Sequence, residues 1–317
     1  MFFAIIKKIL SAIPLFFIIS IILFVMINAL PGNAAYAILG EGSSEAIERL
    51  SEQLGLNDPV MVRYFRWLGN ALKGDWGVSL YSNEPVFIKI MHRLPVSAEV
   101  VLLSMGVSIL VSLPVSIACA VKRNSKFDYI ASFFSALGVA MPAFWLGIML
   151  VSLFAIHLKV LPASGFVKFS DNILLNLRSM ILPVTAVSFS FAATLIRQSR
   201  SAMLEVLGQD YMLTAKAKGL PNRTVLVKHG LRNAASPIVT VISGQVGGII
   251  CGMVVTEQVY LVPGMGQLLY NSILTRDYPV IMAQIMLMVA LVVFVNILVD
   301  IIYIILDPRI SHRLQSK

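Results

Sequence analysis

The sequence predicts an all-α integral membrane protein with six transmembrane helices, and three observations indicate this fold class. Of its 317 residues, 58% are apolar and 13% are charged, about half the charged share of an average soluble domain. The mean hydropathy is +0.85. The apolar residues also form long blocks, each close to the roughly 20 residues that a helix needs to cross a bilayer.

Six blocks have the length and composition of transmembrane helices. The third is long for a straight crossing and contains Pro142, which predicts a kink within it. The first is a mainly apolar run of 22 residues without a charged side chain, longer than the roughly 7–15 residues of a signal-peptide core, so we expect it to be retained as a span. The predicted spans cover residues 9–30, 96–121, 127–156, 180–196, 238–256 and 280–306.

The distribution of Lys and Arg predicts the orientation of these spans. If both termini are cytoplasmic, the inside segments hold fifteen of the 25 Lys and Arg residues. The outside segments are longer, and they hold ten Lys and Arg balanced by ten Asp and Glu. The net charge of +9 is therefore explained by topology, and we predict the lipid bilayer and no nucleic acid as a partner.

The spans divide the chain into three parts. Residues 1–30 form an N-terminal tail with the first transmembrane helix, and residues 31–95 form an extracytoplasmic segment. Residues 96–317 form a core of five spans, with a long cytoplasmic loop at 197–237.

The extracytoplasmic segment is large enough to fold, although a solvated linker is the alternative. Apolar residues share one face in its first two predicted helices. Glycine follows each of these helices, and proline precedes the second and the third. The predicted boundaries are an N-cap at Ser44 with an end at Gly55, a second helix from Asp58-Pro59 to Gly74, and a third from Pro85 to Leu94, before Pro95.

Catalytic and metal-binding patterns are missing from the sequence. It contains no Gly-rich phosphate loop that ends in Lys-Ser/Thr, so the chain does not bind ATP in the P-loop manner. Its four histidines are scattered, and Cys119 and Cys251 lie in apolar blocks without metal-ligand spacing. We therefore predict a chain that is not an enzyme and binds no cofactor or metal.

The loop 197–237 contains the signals of a short helix. Asp210 is a candidate N-cap, residues 211–218 fit two helical turns, and Gly219 followed by Pro221 ends them. A second helix is predicted at 223–232. The short helix carries small residues that permit close backbone approach beside two cations: Ala215 and Ala217, Lys216 and Lys218. Two interpretations remain open, namely a helix held in a partner's groove or a basic loop on anionic headgroups.

Several stretches, in order along essentially the whole chain, carry a family resemblance. Residues 201–220, SAMLEVLGQDYMLTAKAKGL, resemble the EAA loop of binding-protein-dependent ABC importer permeases, and 228–237, KHGLRNAASP, resemble the oligopeptide, dipeptide and nickel branch of that family. The chain is most similar to the first permease subunit, which bears the large external segment. The other matching stretches are LGLNDP (54–59), GDWG (74–77), LPASG (161–165), RDYPV (276–280) and DPR (307–309).

The resemblance implies a type I ABC importer permease fold and a transport role by alternating access. It implies a bacterial or archaeal cytoplasmic membrane, with a second homologous permease, two ABC ATPases that carry ATP and Mg, and an extracytoplasmic solute-binding protein as partners. Di- and oligopeptides are the implied solutes, with nickel or a metal–chelator complex as the alternative. The implied coupling helix would dock in the ATPase through Asp210, Tyr211, Thr214, Ala215, Lys216, Ala217, Lys218 and Gly219.

Two positions depart from the family pattern. Thr214 stands where the general loop motif has Glu, so a Glu-mediated ATPase contact is not expected. Val262 precedes PGMG (263–266) where this branch has Trp. A gradient-driven secondary transporter or channel is the rival of another class. It would require an internal repeat and several intramembrane charges, whereas we find no repeat and only Asp300 deep in a span.

The fifth span contains three glycines on one face, Gly244, Gly248 and Gly252. Four-residue spacing of glycines lets another helix approach closely. Packing within this chain and contact with the second permease are both possible, and we favour the second permease because the span follows the coupling segment.

Polar residues within the spans are candidates for the solute pathway. Asp300 is the costliest, since a carboxylate at mid-bilayer costs about 2.5–3.5 kcal/mol on insertion scales. A structural ion pair or hydrogen bond is the favoured role for it, and solute contact is the alternative. The further pathway candidates are Gln245, Gln284 and Asn296.

Overall fold

A computed structural model describes residues 2–29, 35, 43–53 and 55–306 of the chain. This part is almost entirely helical, and its β structure is limited to an isolated bridge between Val78 and Pro85. We number the helices in chain order. They are α1 (Phe2–Ala29), α2 (Ser44–Gln53), α3 (Val60–Leu72), α4 (Val86–Val121), α5 (Lys126–Ala140), α6 (Ala143–His157), α7 (Ile173–Leu207), α8 (Asp210–Ala217), α9 (Asn222–Tyr260), α10 (Met265–Leu274) and α11 (Tyr278–Leu306).

Five of the six predicted spans are single long helices, and a bent pair of helices is the candidate for the sixth. In the described part, α1, α4, α7, α9 and α11 are each long and apolar enough to cross a membrane. The bent pair α5 and α6 supplies a sixth candidate, with an angle of 104° between its halves. The kink predicted at Pro142 is a full break, because proline pushes the preceding residue towards extended backbone and Met141 adopts φ −86° and ψ 123°.

Three predicted boundaries are wrong. The external helix predicted to end before Pro95 continues as α4, since buried side chains hold it on both sides of the proline, from Ile90 to Val96, and transmembrane helices tolerate the unpaired carbonyl that proline leaves. The span predicted at 180–196 is the middle of α7. The helix predicted at 223–232 is the first part of α9, which continues through a π-helical stretch, Val225–Leu231.

Between α1 and α4 the described residues form α2 and α3, in agreement with the helical segment that the sequence predicts there. Glycines in the left-handed region end both: Gly55 has φ 63° and Gly74 has φ 87°. The cap of α2 differs from the prediction by one residue, since Ser43 Oγ accepts a hydrogen bond from the Ala46 amide at 3.3 Å and Ser44 is the first helical residue.

The chain divides into two compact units. The first unit contains Ala98–Val262 and the end of α11 from Phe294. Its central element is α7. The apolar stretch of this helix is 56% buried, against 22–28% for the apolar stretches of the other single-helix spans. Small residues on α7 permit this packing: a Cβ added to Gly138 on α5 would lie 2.7 Å from the Cβ of Ala193.

The second unit contains Ile6–Ser97 and Pro263–Val293. One apolar cluster joins the start of α4 to α10 and α11, and another joins α1, α3 and α11. Buried Asp277 ties the connection before α4 to the start of α11, because its carboxylate accepts hydrogen bonds from Ser79 Oγ at 2.5 Å and from the Leu80 amide at 3.0 Å. The RDYPV stretch thus contains an anchor within this unit.

Candidate functional site

The short helix α8 is held against its own chain by one apolar face. Met212 is fully buried and Ala215, one turn later, is nearly so. Both pack with Val225 at the start of the π-helical stretch of α9, and Val206 and Leu207 at the end of α7 complete the cluster. Because α8 contacts the end of one span and the start of the next, a force on α8 reaches both.

The entry to α8 differs from the prediction. Gln209 occupies the N-cap position with φ −79° and ψ 148°, and its side chain makes no capping hydrogen bond. Asp210, the predicted cap, is the first helical residue. Its carboxylate in the first turn still complements the positive end of the helix dipole.

The exit from α8 is as predicted. Lys218 follows the last helical residue, and Gly219 has φ 76°, in the left-handed region that glycine adopts without strain. A Cβ added to Gly219 would meet no atom of the described residues within 4 Å. A side chain there would therefore strain the backbone without clashing.

The opposite face of α8 is exposed. Tyr211 is 42% and Leu213 61% exposed, and the side chains of Lys216, Ala217 and Lys218 also face outwards. An apolar and aromatic surface beside two cations suits a protein groove with apolar walls and an acidic rim.

Contacts within the chain are observed for two residues of α8 that the sequence analysis assigned to the coupling helix. Ala215, predicted to permit close approach of a partner, is buried against its own chain. Thr214, at the position of the motif's Glu, donates its hydroxyl hydrogen to the Asp210 carbonyl at 3.1 Å. The Thr214 hydroxyl hydrogen is thus bonded within α8.

An ion pair that the sequence analysis missed braces the end of α7. Arg200 donates from Nε and Nη2 to the two carboxylate oxygens of Asp128 at 2.6 and 2.7 Å. Asp128 is buried, and it also accepts from the Asn124 amide at 3.0 Å. The sequence contained a weak signal for the helix start that places Asp128, because a serine three residues before an acidic residue is typical of a helix start. Ser125 is that serine, and its Oγ accepts a hydrogen bond from the Asp128 amide. The pairing itself spans 72 residues and has no local signature.

The three glycines of α9 leave an open face. A Cβ added to Gly244, Gly248 or Gly252 would meet no atom of the described residues within 4 Å. Gly248 and Gly252 also border a groove of about 280 Å³ beside the break between α5 and α6. Close packing of these glycines within the described part of this chain is therefore not observed, and contact with a second permease stays a prediction.

Two glycine substitutions test this difference. We expect Gly138→Leu to lower the thermal stability of the isolated chain, because Ala193 and Phe189 already lie at contact distance from the added Cβ. Gly248→Leu should leave the isolated chain as stable as wild type and instead reduce its co-purification with the second permease. Melting temperature and pull-down yield measure the two effects. Equal assembly for wild type and the Gly244, Gly248 and Gly252 triple Leu variant would contradict the interface prediction.

The candidate pathway residues lie in different surroundings. Gln284 is fully buried in the second unit and donates its amide hydrogen to the Met265 carbonyl, which gives it a structural role and argues against its predicted place on the pathway. Gln245 borders a cavity of about 10 Å³, room for about one water. Asn296 accepts a hydrogen bond from Ser243 Oγ at 3.4 Å. The Asp300 side chain lies outside the described residues.

No group of three or more His, Cys, Asp or Glu that could hold a metal occurs among the described residues. Val262, at the position of the branch's Trp, is buried with its amide bonded to the Glu257 carbonyl at 2.9 Å. The Val262 side chain is therefore not at the surface of the described part of the chain.

Comparison with known proteins decides the family. The profile described as "Binding-protein-dependent transport system inner membrane component" matches residues 112–312, and the profile of the family's N-terminal part matches residues 1–101. The chain belongs to this family. It is an ABC importer permease subunit, and the multi-pass helical architecture agrees with that assignment.

Named relatives span almost the full length of the permease. The oligopeptide transport system permease protein AppB of Bacillus subtilis (strain 168) is 39% identical over 312 residues, covering 97% of this chain and 99% of the relative. The dipeptide transport system permease protein DppB of Escherichia coli (strain K12) is 34% identical over 336 residues, covering 98% of each. A protein of Brucella suis biovar 1 (strain 1330), named for peptide transport, is 40% identical over 309 residues, covering 97% and 98%.

A solved structure matches the fold. A chain of the inward-facing MetNI methionine ABC transporter aligns with a TM-score of 0.58 at 16% identity, covering 71% of this permease and 99% of that chain. This likeness confirms the expected type I importer permease fold.

Proposed function

We propose that this permease carries di- or oligopeptides into the cell as one of two homologous permease subunits. The support for the solute class is the naming of full-length relatives from Bacillus subtilis and Escherichia coli for oligopeptide and dipeptide transport. The Brucella suis relative is likewise named for peptides. These three names favour peptides over the alternative of nickel or a metal–chelator complex.

The partners in this proposal are two ATPase subunits, which carry ATP and Mg, and an extracytoplasmic solute-binding protein. The sequence of the permease has no P-loop, so the proposal assigns ATP binding in the P-loop manner to the ATPase subunits. ATP-driven closure of the ATPases would move α8 and reorient the spans, which is a rigid-body form of alternating access.

The observation that carries the proposal is the two-sided character of α8. One face is fixed to α7 and α9 through Met212, Ala215 and Val225, and the other exposes Leu213 beside Lys216. A helix of eight residues is too short to be stable alone. Its seat on two spans and its free apolar face are what a docking helix requires.

The orientation in this proposal places α8 on the cytoplasmic side and the loop between α3 and α4 outside. In a background with Cys119 and Cys251 replaced by serine, we expect Tyr81→Cys to react with an impermeant thiol reagent added to whole cells. Tyr81 is 75% exposed. Asn222→Cys, at the start of α9, should react only after the cells are opened. Reversed labelling would contradict the orientation.

Uptake by a reconstituted complex tests the function. Proteoliposomes that contain the permease, its second permease and both ATPases, with the solute-binding protein outside, should accumulate a labelled dipeptide or tripeptide only when ATP is inside. Uptake driven by a proton or sodium gradient without ATP would contradict the importer mechanism. Transport of Ni²⁺ with no transport of peptides would leave the mechanism intact and overturn the solute class.

A further inference from the structure

The break between α5 and α6 separates two half-spans that are held by different neighbours. On α5, a Cβ added to Gly138 would lie 2.7 Å from Ala193 and 3.0 Å from Phe189, both on α7. On the other side of the break, Gly147 is the one buried residue of α6, all of which the structure describes. A Cβ added to Gly147 would lie 3.3 Å from the Tyr260 hydroxyl of α9. Helix α6 also contacts α7, without burying a second residue there. Half-span α5 is thus fixed to α7, and the buried contact of α6 is with α9.

Tyr260 joins α6 to α9 by packing and by a hydrogen bond. It is 2% exposed, and its hydroxyl donates to the Gly147 carbonyl at 3.2 Å. The same carbonyl accepts the Val151 amide within α6, so the hydroxyl uses its second lone pair. Because Gly147 has no side chain, the ring lies directly against the helix, with its Cε2 3.4 Å from where a Cβ would be. The contact is therefore not needed to form α6, and it sets where α6 lies relative to α9.

The connection that follows α6 is tied to α9 as well. The Gly165 amide donates to the Tyr260 carbonyl at 3.1 Å, and the first turn of α7 holds the part beyond Gly165. Between α6 and Gly165, Arg178 of α7 donates to the Val160 carbonyl at 2.9 Å, but this bond is exposed. Water can replace an exposed hydrogen bond at little cost. The buried contacts of Tyr260 therefore outweigh the tie to α7 in this region.

Helix α9 connects Tyr260 to the seat of α8. Met212 and Ala215 of α8 pack on Val225 near the start of α9, and Tyr260 is its last residue. The 39 residues of α9 extend roughly 55–60 Å at a rise of about 1.5 Å per residue, more than the roughly 40–45 Å of a bilayer with its headgroups. The two ends of α9 thus reach opposite surfaces. A displacement of α8 that moves α9 against α7 would reach α6 through Tyr260.

The groove at the break depends on where α6 lies. It has a volume of about 280 Å³ and is lined by four helices, with Met141 at the break, Ala143 of α6, Thr194 of α7 and Thr256 of α9 among its residues. Non-helical backbone at membrane depth is tolerated where it is buried in protein or lines a cavity. Hinge residues are typically a few positions at the ends of elements, as Met141 and Pro142 are here. Rotation of α6 about the break would change the width of this groove.

We propose that Tyr260 is a positioning residue for transport, which makes α6 follow α9 when α6 turns about the break at Met141 and Pro142. This inference rests on the proposed function, because the ATPases supply the displacement of α8. With the Tyr260 contact in place, movement of α9 against α7 turns α6 and reshapes the groove through which the four helices meet. Without the contact, α9 still moves and α6 lags behind it.

Spin-label distances in the whole complex test whether α6 follows α9. In a background with Cys119 and Cys251 replaced by serine, one pair of labels is attached to cysteines at His157 and Val255, on α6 and α9. A second pair is attached at His157 and Tyr129, on α6 and α5, and all three positions are exposed. On ATP binding, the α6–α9 distance should stay constant and the α5–α6 distance should change. A constant α5–α6 distance, or an α6–α9 distance that changes as much, would overturn the proposal.

The ratio of peptide uptake to ATP hydrolysis separates positioning from a purely structural role. Tyr260→Phe keeps the ring and removes the hydroxyl. It should lower this ratio about fivefold, the effect of one neutral hydrogen bond on an equilibrium, while hydrolysis stimulated by the solute-binding protein continues. Its α6–α9 distance distribution should broaden. Tyr129→Phe, at an exposed tyrosine of α5, should keep the wild-type ratio. Equal losses of hydrolysis and uptake in Tyr260→Phe would assign Tyr260 a structural role alone and overturn the proposal.

A second variant changes the same contact from the side of α6. In Gly147→Ala the added Cβ would lie 3.3 Å from the Tyr260 hydroxyl, so the ring must shift and the ratio should fall as in Tyr260→Phe. Gly106→Ala on α4 is the matched control, because its Cβ would meet no described atom within 4 Å. Wild-type ratios in both Tyr260→Phe and Gly147→Ala would overturn the proposal. Absence of ATP-driven uptake in wild type would instead overturn the proposed function, and the two distances would still decide whether α6 follows α9.

Discussion

Replacing Gly219 with valine is expected to reduce ATP-dependent uptake at least about tenfold while the permease still inserts and assembles. Gly219 has φ 76°, and this left-handed region costs an L-residue about 1–2 kcal/mol, more for a β-branched side chain. No described atom lies within 4 Å of the added Cβ. The strain therefore acts on the end of α8 and leaves the spans unchanged.

Two variants separate this effect from a general loss of structure. Gly208 precedes α8 at φ −82°, so Gly208→Val places the same side chain at the other end of the helix without left-handed strain. Gly219→Asn should retain most of the uptake, because asparagine tolerates the left-handed region. Receptor-stimulated ATP hydrolysis and uptake are measured together. Unchanged uptake in Gly219→Val would show that the geometry of α8 does not control coupling.

Replacing Asp128 with asparagine should destabilise the first unit by about 2–3 kcal/mol, because it removes the charge from two hydrogen bonds and leaves Arg200 unpaired. This is below the cost for a fully buried pair, since the Arg200 side chain is 25% exposed. The end of α7 would lose its tie to the start of α5, so uptake should also fall. Thermal unfolding of the purified chain measures the stability.

A double variant distinguishes the pair from its individual charges. Replacing buried ion pairs by apolar side chains of similar volume is often neutral, so Asp128→Leu with Arg200→Met should recover most of the lost stability. If uptake stays low while stability returns, the pair contributes to the motion as well as to the fold. An Asp128→Asn chain as stable as wild type would contradict a bracing role.

Five of the six predicted spans correspond to single long apolar helices, and the bent pair α5 and α6 is the candidate for the sixth. The spans were predictable because apolar block length is a property of the local sequence. Their ends were less predictable. Polar residues such as Arg197 and Arg200 suggested a loop, yet they belong to the last turns of α7, where packing and the Asp128 pair outweigh their polarity. Pro95 suggested a break for the same local reason, and the buried residues on either side overrode it.

In the candidate site, too, local features were predictable from the sequence and tertiary contacts were not. Gly219 was predictable, since a glycine followed closely by Pro221 is a strong helix-end signal. Which face of α8 is buried was not, because a period of 3.6 over eight residues leaves the choice between Ala215 and Ala217 open. Only the tertiary contacts with Val225 decide it. The Asp128–Arg200 pair could not be predicted for a similar reason, since its residues lie far apart in sequence.

Photo-crosslinking from α8 tests the central claim most directly, because the claim is that its exposed face docks in an ATPase. A photoreactive amino acid at Leu213, which is 61% exposed, should form an adduct with the ATPase subunit in membranes that contain the whole complex. The same group at Phe169, exposed in the connection between α6 and α7, should form none. An ATPase adduct absent from Leu213, or equally strong from Phe169, would contradict the account.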